Sequence, residues 1–494
     1  MKDFASSFFD RGRRECVLFC VLATLLVLVR SFVPTYYEGF FFDSDQAIVG
    51  LMAKHLSDLR KFPLFYYGLN YMLGVEAWMI APFFWIARPS VAVMRLPLIL
   101  LNILVAIWLI AALSRRLAIR PATAFIAALP FIMPTPAVGG HLLEAAGACI
   151  EPFVYLLLLW QLRLRPLAFG AVFGLAFLHR EFTAYAIPAL VIVEASRGPV
   201  WTRAHLRRGA FMAAGFAVVW LVVDDLRMHL SGEALALQAA SLRGQMCFEP
   251  RELVARGAAV FTQALPMLFG GVRAPLAAFR MSTPLTAGSA AVGWLAAASM
   301  AVIIVRLAVR RPEEGPPDPD RGFATYLLWV GVFAACAYSL SCNAIPGNPP
   351  ILRYLLIALL IPVGSFAMFV QREPSWHLRS LVATAFVLWA GINFVDHVRL
   401  IAASAVEPPL NEHRVLADYL VTNHIRYARA TYWDAYKLDF LVRERVTVAS
   451  FDLVRIDDYQ RTVDDHADAA VTLARQPCSG GPTVSSWCIQ PPSR

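Results

Sequence analysis

Apolar positions along this chain fall into long blocks, separated by short polar segments that are mostly basic. The first block, Cys16–Pro34, follows an N-terminus made basic by Lys2, Arg11, Arg13 and Arg14. At about 20 residues per crossing it is long enough to span a bilayer, and no small-residue cleavage site follows it. It therefore predicts a retained first helix, with the N-terminus cytoplasmic and Thr35 onward outside. Ten further blocks read as spans: Val91–Leu113, Pro121–Ala137, Leu142–Leu162, Pro166–Leu178, Phe182–Ala195, Gly209–Val223, Pro284–Val305, Phe323–Ser341, Ile351–Val370 and Leu381–Phe394. Tyr71–Ala87 is the odd segment. Counting it as a span would place Arg115, Arg116 and Arg120 outside and reverse the sign of every later loop. Its Tyr71 and Trp78, with Tyr66 and Tyr67 before it, favour the headgroup level, so it reads as interfacial. About eleven crossings result.

The polar tail has a different texture. Leu410–Asn423 has helical spacing, Arg429–Trp433 and Val446–Phe451 read as strands, and Ala435–Val442 is a helix between them. The expectation is an all-α polytopic membrane bundle over residues 1–397, with an amphipathic outer-face loop at 35–90. A small α/β domain, extracytoplasmic by this topology, would occupy residues 398–494.

Composition agrees: 58% of the 494 residues are hydrophobic and 16% charged, against about 25% charged in soluble domains. That excludes a disordered chain, a disulfide-rich miniprotein and a conventional soluble enzyme. The net charge is +9, and the tail from Val398 carries eleven basic against twelve acidic residues. The excess lies between the apolar blocks, where it marks cytoplasmic loops and not a nucleic-acid surface. The 8 cysteines show no metal-binding spacing. Cys16, Cys20, Cys149 and Cys336 lie in apolar blocks, whereas Cys478 and Cys488 can pair if the tail is extracytoplasmic.

Candidate chemistry gathers on the outer face. In YEGFFFDSDQAIVGLMAKHLSDLRKF the apolar residues from Ala47 to Leu59 recur at helical spacing, with Lys54, Asp58 and Arg60 opposite. This predicts an amphipathic helix on the bilayer, starting near Ser44. Asp43 and Asp45 then sit at its N-terminus, where the dipole and free N–H groups favour a carboxylate. Both could be plain cap residues. A D-x-D pair at a membrane surface also suits a general base or a divalent cation, magnesium or manganese.

Three further outer clusters face the same side: His141 and Glu144; His179, Arg180 and Glu181; and Arg353 with Tyr354. Each could be an interface anchor or a structural ion pair, because a charge beside a span is costly unless paired or facing an aqueous cavity. Together with Lys54 they outline one polar cavity. Arginine grips phosphate oxygens by paired hydrogen bonds, and an aspartate can deprotonate a hydroxyl. A lipid-phosphate substrate fits such a cavity.

The segments FFDSDQAIVGLMAKHL, FPLFYYGLNYMLGVEAWMIAPFF, RYLLIALLIP and RATYWDAYKLDFLVRERVTVA resemble bacterial membrane glycosyltransferases of the GT-C superfamily. The branch is that of protein mannosyltransferases, aminoarabinose transferases and Rgt-type enzymes. The resemblance implies a hexosyl or pentosyl transferase of the bacterial inner membrane, acting on the periplasmic side. Its donor would be a polyprenyl-phosphate-linked sugar, its acceptor a lipid or glycan, and its stereochemistry inverting. The family's essential acidic residue maps by position to Asp45, with Asp43 beside it. Many relatives read Asp-Glu where this chain reads Asp45–Gln46. The second acidic position maps to Glu144 and the basic phosphate contact to Arg353. Competing readings are a transporter or flippase of a lipid-linked sugar, which would show internal repeats and midplane polar residues, and a non-catalytic assembly factor.

Overall fold

A computed structural model describes residues 2–147, 149–231, 244, 246–271, 289–309, 322–342, 344–345, 348–476, 478 and 481–492. The proline-rich segment 310–321, much of the long loop after residue 231 and the start of the block at 284 lie outside the described residues. Within them the chain runs α1 (Lys2–Tyr36), α2 (Ser44–Ser57), β1 (Phe65–Tyr66), β2 (Leu69–Leu73), α3 (Val75–Ile86), α4 (Val91–Leu117) and α5 (Pro121–Ile132). It continues through α6 (Pro136–His141), α7 (Glu151–Leu162), α8 (Pro166–His179), α9 (Ala186–Ala195) and α10 (Arg203–Ser231). Later helices bearing on the bundle are Ser289–Val309, Phe323–Leu340, Leu360–Arg372 and Trp376–Val406.

Among the described residues, five helices are long and apolar enough to cross a membrane: Gly12–Tyr36, Val91–Leu117, Arg203–Leu230, Phe323–Leu340 and Trp376–Val406. Six shorter apolar helices stand among them. One is α3, whose 12 residues rise about 18 Å, against roughly 30 Å of hydrocarbon.

Several expected spans are interrupted. The block Pro121–Ala137 stops as a helix at Ile132 and resumes as the short α6, because Pro134 and Pro136 remove donors the helix would need. The block Leu142–Leu162 becomes helical only at Glu151, with Pro152 in its first turn and Gly147 at φ +71° in the turn before it. Phe182–Ala195 opens with a 3-10 turn, Glu181–Tyr185, and Ile351–Val370 with two, Leu352–Tyr354 and Leu356–Leu359. Irregular backbone at membrane depth survives only where protein or trapped water satisfies it. Here Arg30 Nη1 donates to the Phe131 carbonyl at 2.9 Å, Asn393 Nδ2 to Met133 at 3.1 Å and Asn102 Nδ2 to Leu142 at 2.9 Å. His397 Nε2 lies 3.0 Å from the Pro134 carbonyl. All four side chains are buried, which explains a charge and amides inside an apolar bundle.

Helix Trp376–Val406 carries the chain past residue 397, and the polar tail folds as expected into mixed α/β structure. Helix Glu412–Thr422 leads into β3 (Tyr427–Ala430), helix Tyr432–Leu441 and β4 (Thr447–Ser450). Helix Asp457–Asp464 then leads into β5 (Val471–Arg475), β6 (Thr483–Val484) and β7 (Trp487–Gln490). The sheet order is β4-β3-β5-β7-β6. The first three strands are parallel, and β7 pairs antiparallel with both β5 and β6. Helix Tyr432–Leu441 is the crossover that two parallel strands require.

Cys478 and Cys488 are disulfide-bonded. So are Cys247 and Cys342, with Cα atoms 5.1 Å apart, a pair the sequence spacing did not suggest. Cys16, Cys20, Cys149 and Cys336 are free.

One expectation about placement changes. The amphipathic helix α2 starts at Ser44 as its pattern demands, but protein covers both of its faces. It packs on α3 and on helix Tyr432–Leu441. A side chain at Gly50 would meet the Phe440 ring, so glycine permits this close approach. The polar stripe opposite the apolar face is satisfied largely by the tail. Glu444 accepts from Lys54 Nζ at 2.6 Å and Arg60 Nη2 at 2.5 Å, and its Oε1 lies 2.8 Å from His55 Nε2.

Candidate active site

The site is built on the N-terminus of α2. Asp43 has the extended backbone of a cap residue, and its Oδ1 accepts from the Gln46 amide at 3.0 Å. The cap therefore fixes one carboxylate, and two residues on, in the first turn, Asp45 projects beside it. Gln46 does not join them. It is fully buried, with Nε2 on the Phe41 carbonyl at 2.5 Å and Oε1 on the Ala145 amide at 3.3 Å. It thus stitches the loop before α2 to the loop that carries Glu144. Arg95, also fully buried, reaches the Phe40 and Phe41 carbonyls at 2.7 and 3.0 Å. That holds Phe41 at φ +48°, an unfavourable conformation for a bulky residue. Gly140 lies so close to the Phe41 ring that a Cβ would collide with it.

Arg353 comes from the 3-10 turn at Leu352–Tyr354 and lies across both aspartates. Nη1 is 3.4 Å from Asp43 Oδ2 and Nη2 is 3.3 Å from Asp45 Oδ2. Its guanidinium carbon stands 5.3 Å from the Tyr354 ring centroid, and Tyr354 packs edge-on against Phe182 at 6.0 Å. The side chains of Asp43, Asp45 and Arg353 are 31%, 27% and 17% exposed, so water or a ligand can reach the charges. Glu144 sits beneath, buried, with Oε1 2.8 Å from His141 Nδ1. Burial raises Asp43 above the ordinary carboxylate range, and the charges of Glu144 and Asp45 add to this. Arg353 opposes the shift, and the net effect pushes Asp43 up to about 6.

The remaining predicted residues take other places. Arg180 caps α8 and donates to the Ala146 carbonyl, and His179 Nδ1 lies 3.0 Å from the Tyr155 hydroxyl. They brace the loop that carries Glu144. Glu181 opens the 3-10 turn beside them, half-buried. Lys54 lies farther along α2, held by Glu444 and by Asp58 at 2.8 Å, in the brace between α2 and the tail. The structure thus brings Asp43, Asp45, Arg353, Tyr354, Glu144 and His141 together, with His179 and Arg180 one layer behind.

Two features escaped the sequence. The Tyr432 hydroxyl, from the C-terminal domain, donates to Asp45 Oδ1 at 2.6 Å. Glu76 of α3 and Glu151 of α7 are both buried, close enough for their charges to interact. For the glutamates a signal existed: each is an acidic residue inside an apolar block, which in a membrane protein points to a special environment.

A divalent cation was one expectation for Asp43 and Asp45. Among the described residues no three His, Cys, Asp or Glu side chains gather in a metal-holding group. The space between the two carboxylates carries the Arg353 guanidinium. The donor set as arranged does not fit a resident metal.

No protein-family model matches the sequence, and no curated protein matches it. Solved structures do. ArnT from Cupriavidus metallidurans bound to undecaprenyl phosphate superposes with a TM-score of 0.58 at 13% identity, covering 96% of this chain and 97% of that one. ArnT from Cupriavidus metallidurans in the apo state gives 0.51 at 13% identity, covering 92% of each chain. The apo oligosaccharyltransferase of Archaeoglobus fulgidus gives 0.50 at 12% identity, covering 93% of this chain and 69% of that one. Both proteins are GT-C membrane glycosyltransferases. At these identities the likeness is one of fold, and it is the fold that the outer-loop motifs resemble.

Proposed function

We propose that this chain is an inverting glycosyltransferase of the bacterial inner membrane. It takes a sugar from a polyprenyl-phosphate-linked donor and passes it to a lipid or glycan acceptor on the periplasmic side. The observation that carries this reading is the Arg353 guanidinium lying across Asp43 and Asp45 at the N-terminus of α2. A cation poised beside a base is what displacement of a phosphate by a hydroxyl requires.

In this reading Asp45 accepts the proton of the acceptor hydroxyl as its oxygen bonds to the anomeric carbon. The bond from that carbon to the phosphate oxygen breaks, and the oxygen keeps the electron pair. Arg353 turns from the aspartates towards the departing polyprenyl phosphate and holds its charge. Attack from the face opposite the phosphate inverts the anomeric centre. Glu144, with His141, adds negative charge beneath Asp43 and keeps Arg353 ionised and in place. Arg353 supplies the positive charge that a divalent ion would otherwise bring, so turnover should survive chelation.

The likeness to ArnT bound to undecaprenyl phosphate supports the choice of donor. Both disulfides fall in segments that the charge pattern puts outside, and disulfides persist in oxidising compartments. About eleven crossings, an outer site and an outer C-terminal domain follow from that orientation.

The test is turnover of purified protein with polyprenyl-phosphate sugars in detergent, comparing wild type with Asp45→Asn. Sugar transfer or release that falls by roughly 100-fold or more in the folded variant supports the reading. Movement of lipid-linked sugar across liposomes without any transfer would replace it with a flippase.

A further inference from the structure

The C-terminal domain touches the start of α2 at two adjoining points, one of them the reacting carboxylate. Ser44 Oγ donates to the Tyr432 carbonyl at 2.6 Å, and the Tyr432 hydroxyl donates to Asp45 Oδ1 at 2.6 Å. The same residue therefore grips the α2 backbone register and the side chain one residue later. Tyr432 is itself fixed. Its amide donates to Asp452 Oδ1 at 2.6 Å, its ring packs on Tyr436 and Trp433 with centroids 5.5 and 5.0 Å apart, and it is 3% exposed. From the other side, the Tyr66 hydroxyl donates to the Asp45 carbonyl at 2.9 Å.

Asp45 is thus divided between two partners. Oδ1 belongs to Tyr432 and Oδ2 to Arg353, and each oxygen keeps a further lone pair for a proton. An aspartate side chain has two rotatable bonds, and a base misplaced by about 1 Å loses much of its effect. We propose that Tyr432 is a positioning residue of the active site. It aims the Asp45 carboxylate at the acceptor hydroxyl, so that the C-terminal domain belongs to the catalytic centre. This rests on the reading of Asp45 as the base.

The domain offers its own control. The Tyr436 hydroxyl, one turn along the same helix, accepts from the Arg455 and Ile456 amides at 2.6 and 3.3 Å. It holds the domain together without reaching α2's carboxylates.

The experiment compares full-length wild type, Asp45→Asn, Tyr432→Phe, Tyr432→His and Tyr436→Phe in detergent. It measures kcat, donor KM and the thermal unfolding midpoint. Tyr432→Phe is expected to lower kcat roughly tenfold with donor KM and midpoint nearly unchanged, since one hydrogen bond to a charged group is lost. Tyr432→His, which keeps a donor, should recover part of the loss. Tyr436→Phe should lower the midpoint and leave kcat alone. If Asp45→Asn is inactive while Tyr432→Phe turns over at the wild-type rate, the inference fails and the reading of Asp45 stands. If Tyr432→Phe and Tyr436→Phe lose midpoint and kcat in parallel, Tyr432 is structural and the inference fails. Full turnover in Asp45→Asn overturns the reading of Asp45 and this inference together.

Discussion

Lys54 of α2 and Glu444 of the C-terminal α/β unit meet at 2.6 Å across 390 positions of sequence. Glu444 also receives Arg60 and the Tyr459 hydroxyl, with His55 against its other oxygen, so one carboxylate gathers the polar stripe of α2. Burial opposes its charge, yet His55, Lys54 and Tyr459 hold it well below the usual carboxylate range. Glu444→Gln should destabilise the protein by about 2–3 kcal/mol, less than the cost of breaking a fully buried pair because the side chains keep some exposure. A carboxylate depressed in the folded state stabilises above its unfolded value of about 4.3 and loses that contribution as pH falls towards its folded one. Wild-type unfolding midpoints should therefore drop below about pH 4.3, and this limb should flatten in Glu444→Gln. Thermal scans across pH check both.

Arg353→Lys keeps the charge but loses the planar fork that spans two oxygens. Donor KM should rise by roughly tenfold, one charge-assisted hydrogen bond's worth, with the unfolding midpoint little changed. Arg353→Gln should lose kcat as well, because no charge remains to meet the departing phosphate. Steady-state kinetics at several donor concentrations separate the two effects.

Asp43 is pushed up to about 6 by burial, then by Glu144 and Asp45, and it competes with the substrate for Arg353. Below that pH it is neutral and the guanidinium has one rival fewer. A sugar phosphodiester does not titrate in this range. Donor KM should therefore fall as pH drops through about 6, and Asp43→Asn should be low and flat across it. Donor KM measured from pH 5 to 8 decides the matter.

Removing the Cys247–Cys342 bond frees a chain segment closed over 95 residues. Cys247→Ser with Cys342→Ser should cost on the order of 2–5 kcal/mol. The Cys478–Cys488 loop closes over 10 residues, and its loss should cost less. Mass mapping after alkylation should find both bonds in protein taken from the membrane, with modification confined to the other four cysteines.

The sequence exposed much of this architecture. The start of α2 followed from a cap residue before a helical stripe, and that placed Asp43 and Asp45 together. Arg353 was visible as a charge at the edge of an apolar block. The breaks inside the blocks at 121–137 and 142–162 had a signal in Pro134, Pro136 and Pro152, but reading by apolar run length passes over it. What decides them is whether Arg30, Asn102, Asn393 and His397 can serve the freed carbonyls, a matter of packing between distant helices. Lys54 was read on the polar face of α2 as part of the outer cavity, and its partner is a glutamate 390 positions away. Tyr432 stood in an aromatic run that packs a core, and its ring does pack there. Its hydroxyl and its carbonyl reach α2, and local periodicity carries no record of a side-chain contact over 387 positions.

The clamp of Tyr432 on Ser44 and Asp45 also sets an order in time. Residues 43–57 emerge early from the ribosome. Residues 432–444 follow only after every intervening helix has been inserted. Until then the carboxylates stand without the hydroxyl that aims them, and Lys54, His55 and Arg60 without their common anion. A chain halted before residue 432 lacks both the hydroxyl that meets Asp45 and the anion that gathers the polar stripe of α2.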